Sequence, residues 1–188
     1  MPPSSAEQQV RTTTLEAFAD TIVPGEKRFD GDRAVAGAAP GGGAVAAGAI
    51  ELLEWDATGV TEGLDDYARL LNDHARSYAE EHDLAVDESV PPFVALSFEH
   101  RTALVGRLVS PAHPEKEFWV LLTLFSNMAF DSAAHLHTAD AIASGHPGLA
   151  AMGVTAPGPD RLWRFPAFSY GRPLARTHPD TTPSGSPA

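Results

Sequence analysis

The chain has 188 residues, 43% of them hydrophobic and 20% charged, which is long enough and apolar enough for one hydrophobic core. With 13 Lys and Arg against 25 Asp and Glu, the formal charge is -12, and this excludes general attraction to nucleic acid or to an anionic membrane surface. No cysteine is present, so disulfides, thiolate metal sites and cysteine nucleophiles are excluded as well.

The start, MPPSSAEQQVRTTT, has no basic head followed by an apolar run, and no later apolar run reaches the roughly 18 residues of a membrane span. The expectation is a cytoplasmic protein with a flexible leader over residues 1–11, a helical domain over 12–159 and an irregular C-terminal tail over 160–188. Thr13 and Glu16 fit a capping box that opens the first helix, whose Leu15, Phe18, Ala19 and Ile22 share one face and which stops at Pro24-Gly25. The segment GAAPGGGAVAAGAIELLEW is glycine-rich before Ala44 and helical in pattern after it. No strand precedes the glycines and neither phosphate-loop nor dinucleotide spacing is present, so they are read as small residues that allow close packing.

Leu64 to His82 has the pattern of an amphipathic helix, with Leu64, Tyr67, Leu70, Leu71, His74 and Tyr78 on the apolar side. His74 on that side reads as a core histidine held by one hydrogen bond. Pro91-Pro92 breaks the chain, and Ser97 suits the N-cap of a further helix with Leu104, Val105 and Leu108 facing inward. Glu99, His100 and Arg101 read as the solvated first turn of that helix.

Pro114 to Gly145 reads as one long central helix: Pro114 suits its first position, Glu115 and Glu117 complement its dipole, and Gly145 with Pro147 marks its exit. From Phe118 to Phe130 it is apolar almost all round. Thr123, Asn127, Asp131, His135 and Thr138 would then stack along one face of this helix as a buried polar stripe. Asp131 could orient the His135 ring as an acid/base pair, with Asn127 as a donor one turn earlier. The alternative is that Asp131 and His135 serve only to fasten the tail. His135 and His137 point about 200° apart on a helix, and no second pair at metal spacing appears, so no metal site is expected. In the tail, Trp163, Phe165 and Tyr170 with Arg164 and Arg172 read as an ordered segment that packs on the domain or on a partner chain.

FADTIVPGEKR at Phe18 to Arg28, the Gly/Ala segment after Pro40 and the long C-terminal helix together resemble the gluconate 2-dehydrogenase subunit 3 family. FSNMAFDSAAHLHTA, GHPGL and LWRFP resemble, more closely, an uncharacterised actinobacterial family of similar length. The first resemblance implies a small helical subunit without a cofactor of its own, accompanying a flavin-dependent dehydrogenase of the glucose/methanol/choline type. Beside it stands a second expectation, drawn from Asp131, His135 and Asn127: a free-standing, cofactor-independent lyase or cyclase acting on a hydrophobic metabolite such as a polyketide. All periodic segments read at 3.6 residues, so the expected fold is all-α, a single-domain bundle of about five helices around the long one.

Overall fold

A computed structural model describes residues 4–154 and residue 156. Trp163, Arg164, Phe165, Tyr170 and Arg172 lie outside the described residues, as does the division expected at residue 160. Among the described residues there are eight α-helices and no strand: α1 (Ser5–Ile22), α2 (Ala49–Leu53), α3 (Leu64–Glu81), α4 (Pro92–Ala95), α5 (Phe98–Leu108), α6 (Lys116–Ser132), α7 (Thr138–Ala143) and α8 (Pro147–Ala151). The fold is all-α, as the periodicity predicts.

α1 starts well before the expected cap at Thr13. Ser4 and Glu7 form the capping box, with the Ser4 hydroxyl accepting from the Glu7 N–H at 3.3 Å and the Glu7 carboxylate accepting from the Ser4 N–H at 2.7 Å. The first turns of α1 are exposed, so they lack the apolar period that would mark them as helix in the sequence. Its second half is the opposite case. Thr14, Leu15, Ala17, Phe18, Ala19, Asp20 and Thr21 are all buried, which places neighbours on several sides. α3, α4, α5, α6 and α2 all pack on α1. The main core joins Leu15 and Phe18 of α1 to Leu64 and Leu71 of α3, Phe93 of α4, Leu104 and Leu108 of α5, and Trp119 and Leu122 of α6. Phe18 lies 6.4 Å from Phe93 and 6.2 Å from Trp119 between ring centroids, tilted contacts that suit the ring quadrupoles.

Polar groups inside this core are satisfied in pairs. Asn72 of α3 donates to the Thr14 hydroxyl at 3.0 Å and accepts from the Phe93 N–H at 3.1 Å, so one amide joins α3, α1 and α4. Between α1 and α2 the chain runs without regular structure and is held from inside instead. The buried Asp20 carboxylate accepts from the Gly25 and Ala36 N–H groups. Asp32 accepts from the Ala34 and Val35 N–H groups and pairs with Arg28, which also reaches Glu16. The glycines here do serve close packing: a Cβ on Gly25 would lie 2.3 Å from the Gly43 nitrogen. Arg101 corrects the expectation of a solvated first turn in α5. It is 3% exposed and donates to four backbone carbonyls, those of Ala34, Arg33, Val94 and Leu96, at 2.6 to 3.0 Å.

The long helix also differs from its expectation. α6 ends at Ser132, Ala133 takes a left-handed conformation (φ 49°) and the chain turns before α7. Neither a glycine nor a proline marks this break. Ala133 is fully buried and packs with Ala141 and Leu149, so tertiary contact turns the chain where no local breaker stands. Gly148 in α8 lets that helix close on α6, since a Cβ there would sit 1.8 Å from the Phe130 carbonyl oxygen.

Candidate functional site

α6 is the element on which the sequence concentrates its candidate residues. It packs on α1, α2, α5 and α8, and its buried line is Trp119, Leu122, Ser126 and Ala129. Glu117, Val120, Leu124, Asn127 and Asp131 fall on the opposite side at steps of three and four. That side is outward. Val120 is 41% and Leu124 50% exposed, whereas Phe118, 49% exposed, points about 200° away from Val120 on the helix and lies 5.9 Å from Tyr67 of α3 between ring centroids. The composition of α6, apolar almost all round, therefore does not mean that it is enclosed all round. Its outward face carries large aliphatic side chains in water.

The expected buried polar stripe divides between this outward face and the turn beyond it. The Thr123 hydroxyl donates to its own helix, to the Trp119 carbonyl at 2.8 Å. Asn127 is exposed and donates through Nδ2 to Asp131 Oδ2 at 2.8 Å. These two residues are brought together as expected, but at the surface. His135 lies beyond the left-handed turn at Ala133, so the helical step of four that would place it over Asp131 does not apply. Among the described residues no hydrogen bond or ion pair joins Asp131 to His135.

His135 turns to α2 instead. A Cβ on Gly48 would lie 2.4 Å from its Nε2, so the ring seats against bare backbone, and Gly48 itself has φ 85°. Burial holds the imidazole below its ordinary value, the Glu51 carboxylate opposes this and the nearby His146 adds to it. His135 Nδ1 is buried and has no hydrogen-bond partner among the described residues. His146, a residue on which the sequence reading placed no role, is 6% exposed. It links the Ala47 carbonyl at 3.0 Å to the N-terminus of α8 through the Leu149 N–H at 3.3 Å.

At the start of α6, away from the outward stripe, three further side chains converge: His74 of α3 and His113 and Glu115 of the segment before α6. His74 reads in the sequence as a core histidine, and spacing within one helix carries no signal that joins α3 to the segment before α6. A separate groove of about 320 Å³ is lined by Ala75, Arg76, Ala79, Val86, Val90 and Pro92, and it holds none of the candidate residues.

A model of a family described as a family of unknown function (DUF5987) matches residues 9–188. No curated protein and no solved structure matches the chain.

Proposed function

The chain belongs to the family of unknown function DUF5987, and from that premise we propose that it is a helical accessory subunit that docks on a larger oxidoreductase through the outward face of α6. The observation that carries this reading is the exposure of Val120 and Leu124, one turn apart on the outward face of α6. Scattered exposed leucines are ordinary, but large apolar side chains on successive turns of one helix, with polar Asn127 and Asp131 beyond them, suit the apolar core and polar rim of an interface. The flavin-dependent partner follows from the resemblance of Phe18 to Arg28, of the Gly/Ala segment after Pro40 and of the expected long C-terminal helix to the gluconate 2-dehydrogenase subunit 3 family. In this role the chain brings no cofactor of its own.

A lyase or cyclase would need Asp131 to orient His135 as a base. Those two side chains make no hydrogen bond with each other among the described residues, whereas Asp131 is engaged by Asn127. The exposed α6 face therefore favours the accessory reading over the catalytic one.

The test is affinity purification from the native host with the wild-type chain and with a Leu124→Glu variant, followed by mass spectrometry and flavin fluorescence. A flavoprotein in stoichiometric amount with the wild type, and its loss with Leu124→Glu at unchanged helical content, is the expected outcome. A flavoprotein recovered equally with both would remove α6 from the interface. Recovery of the wild-type chain alone would end the accessory reading.

A further inference from the structure

The α3 helix and the segment between α5 and α6 meet at a cluster that a hydrophobic core does not require. Nε2 of His74 lies 2.8 Å from Oε2 of Glu115. The same carboxylate oxygen accepts from the Trp119 indole N–H at 3.2 Å. The His113 ring stands edge-on to that of His74, with centroids 5.4 Å apart at 66°, and its Nδ1 accepts from the Glu115 N–H at 3.2 Å. One ligand atom from each of His74, His113 and Glu115 lies within 4.8 Å of the others. An ion pair that only fastened α3 to α6 would need His74 and Glu115; the second imidazole at the same point is unexplained by that role.

We propose that His74, His113 and Glu115 form a binding site for a divalent transition-metal cation of the Zn²⁺ class. Two imidazoles and one carboxylate are the borderline ligands such ions select, and hard cations of the Mg²⁺ kind would instead demand oxygen. Bonds of about 2.0 to 2.2 Å place neighbouring ligand atoms roughly 3 to 4 Å apart around a tetrahedral ion, so a small rotation of these partly exposed side chains closes the set. His74 and Glu115 are 29% and 30% exposed in their side chains, which leaves a path for the ion. Trp119 supplies the outer support that metal sites share. Its indole is fully buried against Phe18 and His74, and its N–H fixes the carboxylate from behind. Binding replaces the His74 to Glu115 hydrogen bond, and any proton on the ligating nitrogens leaves to solvent. Three protein ligands leave a coordination position for water or for a donor from another molecule. The site does not depend on the accessory reading, because it stands off the outward stripe of α6.

The test is calorimetric titration of the full, untagged chain with Zn²⁺, together with the visible spectrum of the Co²⁺ form. The wild type is expected to bind a single equivalent, to give a Co²⁺ spectrum of low coordination number and to gain thermal stability with Zn²⁺. Changes around a metal cost about 10 to 100-fold in affinity even when they spare the ligands, so His113→Ala should weaken Zn²⁺ by at least about 100-fold. His113 stands in the segment between α5 and α6, outside any helix, whereas His74 lies within α3, so this variant spares the helices and remains informative if His74→Ala does not fold. Glu115→Gln, which retains an acceptor for Trp119, should also lose the metal. Wild-type and His113→Ala chains that take up Zn²⁺ with equal affinity, or no uptake by either, would overturn the proposal and leave His74 and Glu115 as a helix-to-helix tie.

Discussion

Arg101 shows how much one side chain holds in this fold. Its guanidinium ties residues 33 and 34 to residues 94 and 96 through four carbonyls, and burial lowers its pKa to about 10, with Asp20 opposing the shift. Removing it takes this donor from the buried contacts with the Ala34, Val94 and Leu96 carbonyls, so Arg101→Ala should cost about 3–5 kcal/mol in urea unfolding. Arg101→Lys should recover little, since an ammonium cannot reproduce the planar fork; full rescue by lysine would contradict this account. His135 gives a prediction in pH. Its folded pKa lies below the ordinary 6.5, so the unfolded chain takes up the proton first as pH falls. The stabilising contribution is complete above that ordinary value and is lost as pH drops through the folded one. Urea midpoints measured from about pH 8 to about pH 5 should fall less steeply on the acid side for His135→Gln. Identical profiles for wild type and variant would remove His135 from the titration.

At the scale of elements, what could be read from the sequence follows from where each signal resides. α3 was legible almost to the residue because its burial is one-sided: Leu64, Ala68, Leu71, Ala75 and Tyr78 are inward, which is the pattern a period of 3.6 detects. Ser97 was legible as a cap because it acts within one turn, accepting from the His100 N–H. The break after Ser132 was not, since Ala133 carries no local signal and turns the chain through its contacts with Ala141 and Leu149. The same break explains why Asp131 and Asn127 meet as expected while His135 does not join them. Arg101 was misread for a related reason, because its carbonyl partners lie in segments without periodicity. α8 depends on a close approach that only glycine permits. Gly148→Ala must push the helix off the Phe130 carbonyl and should destabilise by at least about 2 kcal/mol in chemical unfolding. A neutral Gly148→Ala would mean that α8 is not seated there.

On the scale of the whole molecule, the all-α class was legible in the sequence, and the direction in which α6 faces was not. Composition describes which side chains a helix carries, whereas burial depends on how many neighbours the topology supplies. α6 has the residues of an enclosed helix and one face left open. Neither surplus exposure nor the meeting of His74 with Glu115 across two elements can be extracted from spacing within one segment. Surface charge introduced on that open face should leave folding stability within about 0.5 kcal/mol of wild type, because Leu124 contributes little to the core. Its effect belongs to association.

Sedimentation velocity with simultaneous protein and flavin detection, applied to the chain isolated from its native host and to the chain made alone, tests the accessory role most directly. A monomer of 19.9 kDa is expected for the isolated chain, with a larger flavin-bearing species from the host and loss of that species with Leu124→Glu. A host-derived chain that sediments at its own mass without flavin, or an isolated chain that pairs with itself through α6, would contradict it.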